Sequence, residues 1–270
     1  MEIRDPNGHP VIDWRDWPRP KKPTQWRATR SAMELARSWF TSPSPCVPSE
    51  VASLFDSSPL TAGMAVEYVR PECVTALPER GEGRNHDLVM VGKSKKAQVT
   101  VCVEAKTDEP FGETIGAYLR ETEQKAKAEH RRTGLPDRVQ ALLGLVFGTA
   151  ADSALDPWRA VRYQLLTGVA GTLIQAAEDG ADIGVFLVHE FVTESVDRRK
   201  ARQNARDFSR FVAALFGKEG AAGGALTGPI SYPEGPHLKR PVSLLVGKVV
   251  FDWSAGTPAQ LLANKTLQRS

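Results

Sequence analysis

Asp87-Leu-Val-Met-Val-Gly-Lys-Ser-Lys-Lys-Ala-Gln-Val-Thr-Val-Cys-Val-Glu104-Ala-Lys106 is the stretch on which the fold turns. Two runs rich in β-branched residues, Asp87 to Val91 and Val99 to Ala105, flank a polar turn of Gly92, Lys93, Ser94, Lys95 and Lys96. That is the pattern of an antiparallel hairpin. With the turn centred between Lys95 and Lys96, Val91 faces Thr100, Val89 faces Cys102 and Asp87 faces Glu104. Side chains alternate along a strand, so Lys106 shares the face of Glu104, while Leu88, Met90, Val101, Val103 and Ala105 line an opposite, apolar face. Two carboxylates and one lysine therefore meet at one end of the hairpin.

Upstream, Ser31 with Glu34 three residues later forms a capping-box pattern, and Met33, Leu35, Ala36, Trp39 and Phe40 supply an apolar helix face. Pro43, Pro45 and Pro48 end that helix, Ser49 to Ser58 suits a short second one, and Val66 to Val74 reads as a strand. Residues 1–25 hold five prolines and little periodicity, the mark of a loosely ordered arm pinned by Trp14, Trp17 and Trp26. Downstream, Thr114 to Arg132 is rich in helix formers. Gln140 to Phe147 is too short for its period to separate strand from helix. Asp156-Pro157 opens a predicted helix that runs to Glu178 and stops at Gly180, with Trp158, Val161, Leu165, Thr172, Leu173 and Ala176 as its stripe. Ile183 to Val192 reads as a strand buried on both faces. A basic helix spans Glu194 to Phe216, and glycines from Gly217 to Gly228 mark a link. Val242 to Trp253 is a strand or a pair broken at Gly247. The expected organisation is an arm over 1–25, an α/β domain over 26–217, a Gly/Pro-rich linker over 218–241, and C-terminal strands and tail over 242–270 packed on the same domain.

With 270 residues, 41% apolar and 25% charged, the chain can bury a core of its own. It has no apolar run long enough to span a bilayer and no secretory leader pattern, so a cytoplasmic location without membrane contact is expected. Cys46, Cys73 and Cys102 are too few and too scattered for a disulfide framework or a zinc cluster. His86 and His189 also lack partners at zinc-ligand spacing. The net charge is only +3, but it is unevenly spread. Arg15, Arg19, Lys21, Lys22, Arg27 and Arg30 crowd one segment, and residues 198–210 carry six basic groups against Asp207. Both could meet an anionic polymer.

Asp87 and the Glu104-Ala-Lys106 triplet, in a chain ordered helix, strand, hairpin, helix, strand, resemble the PD-(D/E)xK nuclease superfamily. In that family an acid opens the second core strand and Glu/Asp-x-Lys ends the third. The proline of the family's name is absent, and His86 stands in its place. The resemblance covers residues 26 to 192. It implies a restriction-endonuclease-like α-β-β-β-α-β core within an α/β fold, with a mixed central sheet flanked by helices. It also implies Mg²⁺, or Mn²⁺, at Asp87 and Glu104, with Lys106 assisting the attacking water. Glu34 is the candidate for a further acid from the first helix, and Gln164 for a residue on the helix after the third strand.

Elementary electrostatics points the same way. Directly opposed carboxylates destabilise a strand pair, so Asp87 and Glu104 call for a cation between them. Magnesium needs only one or two carboxylates, keeping its other positions for water and phosphate oxygens. Plainer readings exist for each residue. Glu-x-Lys at a strand end also makes an exposed salt bridge, Glu34 also serves the capping box, and Gln164 also serves as a helix-face polar residue. Asp108, Glu109 and Glu113 suit a solvated loop.

Arg198, Arg202, Arg206 and Arg210 fall four apart on the basic helix, a stripe able to track a phosphate backbone or simply to face solvent. The expectation is a metal-dependent nuclease acting on DNA, with paired cuts favouring a homodimer. The alternative is a catalytically inactive nuclease-like module that binds nucleic acid or protein.

Overall fold

The hairpin forms the centre of a mixed sheet in the computed structural model, which describes residues 1–42, 44–148, 158–217 and 223–253. The strands are β1 (Glu2–Ile3), β2 (Ala65–Thr75), β3 (Arg84–Lys93), β4 (Gln98–Lys106), β5 (Ile183–Val192), β6 (Thr227–Tyr232) and β7 (Val242–Asp252), in the spatial order β1-β2-β3-β4-β5-β7-β6. β3 and β4 pair antiparallel with Val89 opposite Cys102 and Val91 opposite Thr100, the register expected from the turn. The ladder ends at Leu88 opposite Val103, one step short of Asp87 and Glu104. β2 is antiparallel to β3, whereas β4, β5 and β7 run parallel.

The helices are α1 (Ser31–Ser38), α2 (Ser49–Asp56), α3 (Ile115–Ala128), α4 (Leu135–Phe147), α5 (Tyr163–Glu178) and α6 (Arg198–Phe216). They cover both faces of the sheet, which makes the fold α/β. Leu88, Met90, Val101, Val103 and Ala105 pack with Leu35 of α1, with Trp39 at its C-cap, and with Leu54 and Phe55 of α2. On the other face, Phe186 and Val188 of β5 meet Leu142 and Leu143 of α4, Leu165, Val169 and Leu173 of α5, and Phe211 of α6. Each such side chain contributes roughly 1.5–3 kcal/mol on burial. Among the described residues, no helix is long and apolar enough to cross a membrane.

Several elements depart from the sequence reading or settle what it left open. Gln140 to Phe147 is helical, as the end of α4, whose Pro136 stands in the first turn. The helix expected from Asp156-Pro157 begins only at Tyr163; Asp156 and Pro157 lie outside the described residues. The backbone after Trp158 is otherwise engaged. Ile115 donates its amide to the Val161 carbonyl, Gly116 to Arg159, and Tyr163 to Glu113, at 2.8, 3.0 and 3.0 Å. Trp158 stacks on Phe147 with centroids 4.0 Å apart. That cross-pairing holds residues 159–161 in a turn and Arg162 in a bridge to Thr114, and places Tyr163 and Gln164 at a helix start. The stretch expected to be linker contains β6, an edge strand on β7 whose Tyr232 is buried and donates its hydroxyl to the Val146 carbonyl at 2.9 Å. β7 runs unbroken through Gly247, where a Cβ would come within 3.0 Å of Leu54. The N-terminal arm adds β1 to the sheet and buries Ile3, Val11 and Trp17.

Candidate active-site cleft

Alternation along β4 turns Thr100, Cys102, Glu104 and Lys106 toward α5, because the intervening valines and Ala105 belong to the α1 core. The C-terminal end of β4, the N-terminal end of β3 and the first turn of α5 then border one cleft of about 800 Å³, lined by Asp87, Glu104, Lys106 and Gln164 among others. Lys106 Nζ lies 2.7 Å from Glu104 Oε1 and donates to Gln164 Oε1 at 3.2 Å. The Phe111 ring sits 5.3 Å from the same nitrogen. Glu104 is 4% exposed and Lys106 6%. The second oxygen of Glu104 pairs with the buried guanidinium of Arg84. Asp87 Oδ2 accepts the Ala105 amide at 2.7 Å, so the acid at the head of β3 is tied to the triplet ending β4.

Burial sets the proton affinities here. Loss of solvent pulls the Lys106 ammonium down from 10.5 to about 8, although Asp87 opposes this. Burial likewise raises Asp87, outweighing Lys106, the Ala105 amide and Arg84. Glu72 is pushed up to about 7 by burial and by the charge of Asp87. Glu109 moves the other way: against burial, the Thr107 hydroxyl and amide, at 2.6 and 2.8 Å, hold it below its ordinary value.

Of the residues singled out from sequence, Asp87, Glu104, Lys106 and Gln164 come together. Glu34 does not. It is buried, with Oε1 accepting the Thr29 amide at 2.7 Å and lying 3.4 Å from Arg37, and it lines no part of the cleft. Nor does it cap Ser31, whose amide and hydroxyl both reach Glu109 at 3.4 Å instead. Asp108 and Glu109 are structural ties rather than a solvated loop: Arg30 lies 3.2 Å from Asp108, and the Asp197 amide donates to it at 3.2 Å. Arg198, Arg202, Arg206 and Arg210 are all exposed on the outer face of α6, opposite the buried Asn204, Phe208, Phe211 and Val212. None of the four lines the cleft.

Glu72, Arg84, Arg138 and Tyr163 line the cleft without having been anticipated. Glu72 falls between the pairs Pro71–Leu88 and Cys73–His86, across from Asp87, with φ 51° and its Oε2 accepting Asn85 Nδ2 at 2.6 Å. The pleat changes sides there. Arg70 pairs with Asp179 beside α5, and Cys73, three residues on rather than two or four, also approaches α5 at Gln175. Arg84 and His86 follow, both meeting α5 at Gly171, although strict alternation from Leu88 would have placed them on the α1 face.

The donor chemistry bears on a metal. Among the described residues no group of three or more His, Cys, Asp or Glu side chains is arranged to hold one. A hard cation such as Mg²⁺ asks for only one or two carboxylates. The available donors are all oxygens, and Asp87 and Glu72, both desolvated, make no ion pair among the described residues. They fit such an ion. Glu104 joins them only by releasing Lys106 or Arg84. No curated protein and no solved structure matches the chain. Over residues 10–251 it matches a family described as a domain of unknown function, DUF6946, and to that family the chain belongs.

Proposed function

We propose that this cleft hydrolyses phosphodiester bonds of nucleic acid, DNA in the first instance, with Mg²⁺ or Mn²⁺ held by Asp87 and Glu104 and with Glu72 beside Asp87. The supporting observation is the convergence, in one cleft, of Asp87, Glu104, Lys106 and Gln164 from three separate elements, with Lys106 Nζ bridging Glu104 and Gln164. The element order α1, β2, β3, β4, α5, β5 also supports a PD-(D/E)xK-like core, with α2 added between α1 and β2 and α3 and α4 inserted before α5. A bound dication would draw electron density from the phosphate and offset the charge that builds on its oxygens. Glu104 and Gln164 fix Lys106 Nζ in one position, and Phe111 shields it. With a proton affinity near 8, Lys106 holds a neutral fraction that can take the proton of an attacking water, while its charged fraction offsets developing negative charge. Paired cuts in a duplex would use two copies of the chain.

Incubation of the purified chain with supercoiled plasmid and labelled linear DNA, with and without Mg²⁺, is the direct test. We expect metal-dependent nicking that falls by about 10²-fold or more in Lys106→Ala. No cleavage, together with no Mg²⁺ or Mn²⁺ binding by calorimetry, would overturn the reading. One observation favours a second one. Glu104 is already neutralised from both sides by Arg84 and Lys106, as it would be in a nuclease-like module that binds without cutting. Such a module would bind DNA equally well after Glu104→Gln.

A further inference from the structure

Arg138 stands in the first turn of α4, within the inserted helices, and is 6% exposed. Its Nε donates to the Tyr163 hydroxyl at 3.1 Å, and its Nη2 donates to the Glu82 carbonyl. Its Nη1 is buried with no hydrogen-bond partner, and among the described residues the guanidinium has no carboxylate in ion-pair contact. An unsatisfied donor on a buried charge costs more than one on a neutral group.

Gly81, Glu82 and Tyr163, which surround the guanidinium, border the cleft that holds Glu104 and Lys106. Gly81 closes over it, with φ 149°, so tightly that a Cβ would lie 2.5 Å from Nη1. Tyr163, which holds Arg138, is followed directly by Gln164, which holds Lys106. One helix start therefore fixes both cations. The exposed Lys21, Lys22 and Arg80 line the same cleft and add positive charge at its rim.

We propose that Arg138 is a phosphate seat, binding through its guanidinium fork a backbone phosphate of the nucleic-acid strand other than the one presented to Lys106. A planar fork with a spare donor matches two phosphate oxygens. The phosphate reaches Nη1 by displacing the Gly81-Glu82 backbone; the exposed Glu82 carboxylate, 3.7 Å from Lys21 Nζ, is repelled by a polyanion that Lys21 attracts. The inference rests on the nucleic-acid reading of the cleft, but it requires neither metal nor cleavage.

The test is binding in EDTA, read by anisotropy of a short labelled thymidylate oligomer across a salt series, using the full-length chain. Arg138→Met should weaken binding about tenfold and lower the salt slope by about one charge, with Arg138→Lys recovering part of the affinity. Tyr163→Phe frees the guanidinium without changing charge and should weaken binding without altering the slope. If Arg138→Met does not fold, Arg138→Lys and Tyr163→Phe carry the test. Line broadening of inorganic phosphate in phosphorus NMR gives a second readout, which should vanish in the variants. Unchanged affinity and slope in folded variants, or no oligomer binding by the unaltered chain, overturns the proposal. Binding that depends on Arg138 without any Mg²⁺-dependent cleavage would sink the nuclease reading alone. Cleavage with Arg138-independent binding would sink this one alone.

Discussion

Glu72 and Lys106 are displaced toward neutrality by the same burial, and they load the pH dependence of stability in opposite windows. Glu72, raised from 4.5 to about 7, binds a proton in the folded chain that the unfolded chain has already lost. Its contribution is therefore present at acid pH and is lost as pH rises through that window. Lys106, lowered from 10.5 to about 8, does the reverse: from about 8 upward the unfolded chain holds the extra proton, and stability rises with pH. We expect Glu72→Gln to stabilise the metal-free protein by about 2 kcal/mol at pH 8 and to change little at pH 5, as read from urea denaturation at both pH values. Equal effects at both would show that Glu72 ionises normally. Asp87, Glu104 and Lys106 were legible in the sequence because the hairpin keeps a two-residue period and a turn that fixes its register. Glu72, Arg84 and His86 were not, because the pleat changes sides where Glu72 takes a positive φ, and a period cannot be read across such a break.

Among the elements, α5 owes its closeness to the sheet to two glycines. A Cβ on Gly171 would meet His86 Nε2 at 2.8 Å and Arg84 Cγ at 3.0 Å, and one on Gly168 would meet the Phe186 ring at 2.6 Å. The groups they would meet are the buried side chains of Phe186, His86 and Arg84. Gly171→Ala should cost about 1–3 kcal/mol by overpacking. Because Arg84 is one of the displaced groups, it should also disturb the Arg84–Glu104 pair. Gly144 is the counter-case: it is helical, in α4, and a Cβ there meets nothing within 4 Å. Gly144→Ala should stabilise by about 0.5–1 kcal/mol through helix propensity. Thermal melts of the two variants should therefore move in opposite directions, and a shared sign would contradict the packing described for α5. The elements that sequence left open have a common character. Gln140 to Phe147 could not be told from a strand because its apolar run is shorter than two helical repeats. The start of α5 depended on pairing between residues 113–116 and 159–162, which no local pattern announces.

At the scale of the whole molecule, one basic surface borders the cleft and another runs along α6. Lys21, Lys22, Arg80 and Arg138 border the cleft, whereas Arg198, Arg202, Arg206 and Arg210 run along the solvent face of α6 without an ion-pair partner among the described residues. The inner face of α6 is anchored beside the cleft, since Asn204 donates to the Glu109 carbonyl at 2.8 Å and Asp207 holds Arg162 at 2.7 Å. The sequence made the stripe legible through its four-residue spacing, but the link between α6 and the 107–113 loop is a long-range contact without a local signature. If both surfaces hold one polyanion, each neutralised phosphate releases counterions, and binding falls steeply with salt. Replacing all four stripe arginines with glutamine should then lower the salt slope for a long duplex by about three to four, yet leave the slope for a short oligomer seated in the cleft unchanged. The comparison separates a tracking surface from a solvated one. A stripe that only faces water changes neither slope, whereas a general loss of positive field changes both. Asn204, Phe208, Phe211 and Val212 remain in place in this variant, so the packing of α6 against the domain is preserved.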